Sequence, residues 1–311
     1  MMTHALGAAR RLLPVAGLLC SAAALLTGIS LGLGSLFPSQ QLAYKGGIDM
    51  PALHLLDVGR QTTLPLVRDP GTSEPSIAWS PDASRLVFVT NRDGNDEIYV
   101  INADGGELRN MSRDPARDSA PVWLDAQHVA FWSMREAGYR RVFRVNVNTN
   151  VIEPLSTRMT PNEDSRYAWS PDGNQYATVR WRSPSAEIYV RTFGAPESVR
   201  LTENTALDVN PAWSPDGTQL AFWSDRDGGQ MRIFVMRADG SGARPVGPAY
   251  PPVREEGWSV AWSADGEHIA YAAITDGDTA LFRLTLANGE VVRLFTFTNP
   301  SYPPAIAWRP G

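Results

Sequence analysis

The sequence predicts an all-β fold: a six-bladed β-propeller of four-stranded blades, preceded by one N-terminal transmembrane helix. Three observations predict the propeller. A tryptophan-centred strand and turn recurs six times, four strand-like runs fit within each interval, and the two chain ends are incomplete in complementary ways. The segments expected are a short cytoplasmic N-terminus (1–11), a transmembrane helix or signal anchor (12–37) and the propeller (38–311).

The recurring unit reads Ile77-Ala78-Trp79-Ser80-Pro81-Asp82-Ala83, then Tyr167-Ala168-Trp169-Ser170-Pro171-Asp172-Gly173. It returns as Pro211-Ala212-Trp213-Ser214-Pro215-Asp216-Gly217 and Val260-Ala261-Trp262-Ser263-Ala264-Asp265-Gly266. Degenerate copies surround Trp123 and Trp308, and the six tryptophans are spaced by 44, 46, 44, 49 and 46 residues. After each turn comes an apolar run such as Arg85–Thr90 or Gln219–Ser224. A Gly-containing turn follows (Asn91 to Asn95, Asp225 to Gly229), then Glu97-Ile98-Tyr99-Val100 or Arg232-Ile233-Phe234-Val235. An Ala-Asp-Gly turn, at Ala103 to Gly105 and Ala238 to Gly240, leads into a short last run. β-Branched and aromatic residues suit pleated strands, while Gly, Asn and Asp supply the backbone angles of tight hairpins. Four strands in about 45 residues is the period of a propeller blade.

The C-terminal run Ala305 to Trp308 is a first strand with nothing after it, whereas the runs from Gln41, Ala52 and Thr62 read as second, third and fourth strands without a first. Joined, they make one composite blade, which removes the exposed sheet edges that invite aggregation. The tryptophans Trp79, Trp123, Trp169, Trp213, Trp262 and Trp308 are then packing between blades, since periodic aromatics are ordinarily core.

These residues resemble the WD40-like (PD40) repeat of TolB-type propellers, whose pattern runs Trp-Ser-Pro-Asp-Gly, a short strand, Asn-Arg-Asp-Gly, then Ile-Tyr-Val. The resemblance covers nearly everything from about residue 40 onward and departs most in blade two, where Trp123-Leu124-Asp125 lacks the Ser-Pro-Asp-Gly turn. It implies the fold, and it implies a partner that is an envelope or extracellular protein or peptide. No α/β segment like the N-terminal domain of the family's namesake is read here, so the namesake's transport role is not carried over.

From Leu12 to Phe37 there is no charged residue, and Arg10-Arg11 stands immediately before. As a helix such a run spans roughly 39 Å, enough for a hydrocarbon core of about 30 Å with tilt. It exceeds the usual apolar stretch of a cleavable signal, and Leu18-Leu19 ahead of Cys20 fits a lipoprotein site poorly. The arginine pair predicts a single-pass protein of the cytoplasmic membrane, N-terminus inside and propeller outside, in the periplasm or at the cell surface.

Composition excludes other classes. The 28 basic and 33 acidic side chains give a net charge of −5, and the arginines are scattered, so there is no basic stripe for nucleic acid. Cys20 is the one cysteine and lies in the apolar run, which leaves no disulfide or cysteine-built zinc site in the propeller. No cofactor motif is present. The histidines His4, His54, His128 and His268 lack metal-type spacing, and no Gly-x-Ser-x-Gly elbow occurs.

In a four-stranded meander, the turns after strands two and four share one face with the loops between blades. Those loops vary in length and chemistry, which is where binding resides on rigid scaffolds. Five residues before the repeat tryptophan stand Glu74, Asp118, Asp164 and Asp208, with Gly257 and Pro303 in the last two blades. Placed around the channel mouth, these acids would attract a cation or a basic peptide. Alternatively, each caps backbone N–H groups where loop becomes strand. Tyr250, Glu255, Glu256, Trp258 and Tyr302 form a second candidate, a rim for a protein partner or else packing between the last blades. The functional expectation is a membrane-anchored binding module acting through this face. The alternative is a cation- or glycan-binding propeller enzyme with carboxylates at its mouth.

Overall fold

The computed structural model describes residues 41–45, 52–68, 76–136, 139–155, 167–195, 197–251, 259–297 and 304–310. The transmembrane helix expected over 12–37 lies outside them; among the described residues, no helix is long and apolar enough to cross a membrane. In chain order the strands begin with β1 (Gln41–Lys45), β2 (Ala52–Asp57) and β3 (Thr62–Arg68). Blade one is β4 (Ile77–Trp79), β5 (Arg85–Thr90), β6 (Glu97–Asn102) and β7 (Arg109–Asn110). Blade two is β8 (Asp118–Trp123), β9 (His128–Ser133), β10 (Arg141–Asn146) and β11 (Ile152–Pro154). Blade three is β12 (Tyr167–Trp169), β13 (Gln175–Arg182), β14 (Ser185–Thr192) and β15 (Val199–Arg200). Blade four is β16 (Asp208–Trp213), β17 (Gln219–Asp227), β18 (Gln230–Arg237) and β19 (Arg244–Pro245). Blade five is β20 (Val260–Trp262), β21 (His268–Thr275), β22 (Asp278–Thr285) and β23 (Val291–Phe297), and the last strand is β24 (Ala305–Trp308). The strands make six antiparallel four-stranded sheets, so this is a six-bladed propeller. Blade six is the composite, ordered β24-β1-β2-β3, with Leu42 opposite Trp308 and Lys45 opposite Ala305.

The turn after each first strand shows why its residues recur. Ser80 Oγ donates to Asp82 at 2.6 Å and accepts the Arg85 N–H at 2.9 Å, while Asp82 also accepts the Ser84 N–H. In blade four Ser214 Oγ likewise donates to Asp216 and accepts the Gln219 N–H, and Asp216 accepts the Thr218 N–H. The hydroxyl bonds from Ser80 and Ser214 hold both carboxyls below the usual range. The last turn position needs a left-handed backbone, at φ +70° for Gly217, and Ala83 adopts φ +56° in its place. Blade two lacks the serine, and there Asp125 alone accepts the N–H groups of Gln127 and His128 and contacts His128 Nδ1 at 2.9 Å.

The tryptophans join the blades. Five indole N–H groups donate back to a first-strand carbonyl of the preceding blade: Trp79 to Ala307, Trp123 to Ala78, Trp169 to Ala120, Trp213 to Ala168 and Trp262 to Ala212. Trp308 Nε1, the sixth, is buried without an acceptor. Five of the rings are buried, but Trp169 is half-buried, and its bond is the longest at 3.4 Å. The seam between blades two and three is therefore the odd one, where Tyr167, Trp169, Tyr176 and Phe193 pack with Val122, Leu124 and Val142.

Candidate functional site

Of the four mouth acids, Asp118 and Asp208 are described, each beginning the first strand of its blade; both are fully buried and arginine-bound. Arg226 Nη2 donates to both oxygens of Asp208 at 2.8 Å, and Ser224 and Asn204 add hydrogen bonds at 2.6 and 2.7 Å. The same guanidinium lies 5.2 Å and 4.9 Å from the centroids of Phe222 and Phe234. Blade two repeats the device, with Arg135 at 3.3 Å from Asp118 and over Phe131 and Phe143. A stacked guanidinium offers its edge to the carboxylate while its faces stay dry, which suits a partly buried pair. These two acids lock the hairpin between strands two and three onto strand one, each facing an arginine from it.

The sequence itself carries the signal for this pairing. Aligning the blades on their tryptophans puts the acid opposite a hydroxyl-x-Arg run: Thr90-Asn91-Arg92, Ser133-Met134-Arg135 and Ser224-Asp225-Arg226. In blade three an arginine replaces the hydroxyl, giving Arg180-Trp181-Arg182. Blades five and six, with Gly257 and Pro303 at the acid position, carry Ala273 and Thr275, and Gly46 and Ile48, instead. Every blade with an acid has the arginine, and the two without it lack both partners. Reading the acids alone misses this; reading acid and arginine together assigns Asp118 and Asp208 to the scaffold.

Burial pushes the Asp118 carboxyl up to about 6, against the pull of the Arg135 charge. The folded form thus holds this proton more readily than the unfolded chain, whose value is near 3.8. Its ionisation opposes folding above pH about 6, the penalty fading as pH falls through that value toward 3.8. Urea midpoints for wild type and Asp118→Asn across this window should show wild type gaining on the variant as pH falls, by at most about 3 kcal/mol. A difference that stays flat would mean that Arg135 fully offsets the burial.

Tyr250, expected as rim, is instead core. Its ring is buried against Trp223 and Tyr271, and its hydroxyl meets that of Tyr271 at 2.7 Å. The long loop before blade five returns this ring into the gap between blades four and five, where its area is worth more than on the surface. Glu74, Asp164, Glu255, Glu256, Trp258 and Tyr302 lie outside the described residues. Among the described residues, Asp265, Glu267 and His268 are the one group close enough to share a metal ion. Asp265 is already engaged by Ser263 and the Glu267 N–H, so the turn accounts for the cluster.

Comparison with known proteins decides the family. A family model described as the TolB beta propeller domain matches residues 40–167 and 161–310. The chain belongs to that family. A TolB homolog of Chlorobium luteolum is 27% identical over 156 residues, covering 49% of this chain and 34% of the relative. The uncharacterized peptidase YuxL of Bacillus subtilis is 27% identical over 149 residues, 46% of this chain and 20% of that protein. The chain thus spans about a third or less of the length of these relatives. In structure it is similar to TolB from Acinetobacter baumannii, with a TM-score of 0.66 at 19% identity, over 88% of this chain and 67% of that one.

On this TolB-type propeller the loop face bears large apolar side chains that sequence reasoning passed over. Met134 and Tyr139 flank the β9–β10 hairpin and Trp181 stands in the next blade's hairpin, 44%, 42% and 40% exposed. Met134 and Tyr139 sit in the loop between β9 and β10 and Trp181 near the end of β13, and only the fold brings the two hairpins to one face of adjacent blades.

Proposed function

We propose that this chain is a membrane-anchored extracytoplasmic module that binds a protein or peptide through its inter-blade-loop face. The observation that carries the reading is the exposure of Met134, Tyr139 and Trp181 on neighbouring hairpins of that face. Aromatic side chains and methionine are enriched in protein interfaces, and leaving them in water has no value for the scaffold. The opposite face is made of repeated Ser-Pro-Asp-Gly and Ala-Asp-Gly turns whose polar groups are satisfied within the turn. The resemblance to TolB-type propellers implies an envelope or extracellular protein as the partner. A carboxylate-pair enzyme draws less support, since Asp118 and Asp208 are committed to arginines.

The test is crosslinking and co-purification of the full-length chain from its native membrane, beside a variant with Met134, Tyr139 and Trp181 changed to Ser. The expected result is a partner captured by wild type and lost in the variant at equal melting temperature. An identical capture profile sinks the reading. A reporter fused after Gly311 should read as extracytoplasmic; a cytoplasmic signal would overturn the anchor topology proposed from Arg10-Arg11 and the apolar run.

A further inference from the structure

We infer that the seam between blades two and three holds a carboxylate receptor built on Arg140, which takes an acidic side chain or terminus of the bound peptide. The inference rests on the proposed binding role of this face and names the chemistry it selects. Four groups converge at the loop-face end of the seam. Trp132 is 1% exposed, and its indole Nε1–H has no acceptor. Tyr167 of blade three stacks on it at 4.5 Å. The Arg140 guanidinium lies 5.5 Å from the Trp132 centroid and 5.1 Å from that of Tyr167. Among the described residues its donors reach only neutral hydroxyls, Ser119 Oγ at 3.2 Å and Tyr167 Oη at 3.5 Å.

The other blades hold varied residues at this position, and blade four holds an apolar one. Arg140 sits two residues before Val142, which pairs with Trp132, while Ser119 pairs with Trp132 from the other side. In blade four the same register gives Trp223 between Ile233 and Val209, and the residue in Arg140's place is Met231. There the seam is closed by apolar groups, with Met231 and Val209 buried beside Tyr250 and Tyr271. The corresponding residues are Asp96 in blade one, Ala186 in blade three and Thr279 in blade five. Blade two alone among these puts a cation there, with a serine where blade four has valine.

Among the described residues, this guanidinium, half out of water on two aromatic faces, has lost hydration without gaining an anion. Neighbouring loop-face arginines have theirs, as in Arg135 with Asp118, Arg141 with Glu136 and Arg226 with Asp208. An incoming carboxylate would accept from Arg140, with exposed Tyr139 beside it for apolar contact. Charge-assisted bonds in a partly dry site carry most of such recognition.

The test is binding of the purified full-length chain to an array of short peptides with Asp or Glu at one fixed position. Matched peptides carry Gln or Lys there. Arg140→Met is the informative variant, because methionine already occupies the equivalent site of blade four; Arg140→Lys keeps the charge without the fork. The expected result is a preference for the acidic peptides that falls at least about tenfold in Arg140→Met, at unchanged melting, and is partly restored by lysine. Absence of any acidic preference overturns the inference. So does an acidic preference that Arg140→Met leaves intact, while the wider binding role then still stands or falls on the membrane capture experiment.

Discussion

Deleting residues 303–311 should unfold the entire propeller, not fray one blade. The deletion removes β24, the innermost strand of blade six, and leaves Leu42 to Lys45 without their inner partner. It also breaks both flanking seams. Trp308 leaves the core it shares with Tyr44, Ala270, Leu281 and Phe297, and Trp79 of blade one loses its indole acceptor at Ala307. Arg309 goes too, with its backbone bond to Gln41 at 2.9 Å and its guanidinium 5.2 Å from the Trp79 ring. Burial of one large aromatic is worth about 3–5 kcal/mol on its own, and a whole domain is stable by only about 5–15 kcal/mol. The strand edge and apolar faces left open would further favour aggregation. The expected outcome is loss of a cooperative thermal transition, read by circular dichroism, with association at micromolar concentration. A truncated chain that melts within a degree or two of wild type would mean that blade six does not close the ring.

How far the sequence reads depends on whether a feature repeats. The turn at Ser214-Pro215-Asp216-Gly217 is legible because each residue has a local task that recurs in other blades: a hydroxyl to the Asp, a carboxylate to the N–H groups, a left-handed last position. The closure by β24 and β1 is legible because an unfinished blade at each end has one economical solution. The Asp118 and Asp208 pairings are half legible. The acids stand out as a column, but their meaning lies in a second column of arginines eighteen or so residues later, and only tertiary folding shows that the two meet. Tyr250 was illegible for a different reason. In a long loop an aromatic ring reads as surface or as core with equal ease, and what decides is the gap left between Trp223 and Tyr271. The Arg140 site is legible only as a deviation, a polar substitution at a place where blade four is apolar. Repeat proteins allow this comparison inside one chain, with the sibling blades serving as controls.

The same internal controls sharpen the last prediction, that the repeat tryptophans differ in worth. Trp213→Ala should cost about 3–5 kcal/mol, since its ring is buried among Ile188, Val190, Leu220, Phe222 and Phe234 and its N–H bonds Ala168 at 3.0 Å. In a domain of this size each kcal/mol lowers the melting temperature by roughly 2–4 °C. Trp169→Ala should cost clearly less, because that ring is half-buried and its bond to Ala120 is stretched to 3.4 Å. The first strand of blade two shifts register between Ser119 and Val122, where Ala120 takes a positive φ, as the first strand of blade four does at Asn210. Trp169 therefore bonds the bulged residue, while Trp213 bonds the residue just before its neighbour's tryptophan. Urea midpoints of the two single variants and the double variant would measure this. Equal losses at both positions would show that the seam between blades two and three is as tight as the rest, and would weaken the case that it is open enough to receive a ligand. A small loss at Trp169 beside a large one at Trp213 would identify that seam as the joint where the ring's packing gives way to chemistry.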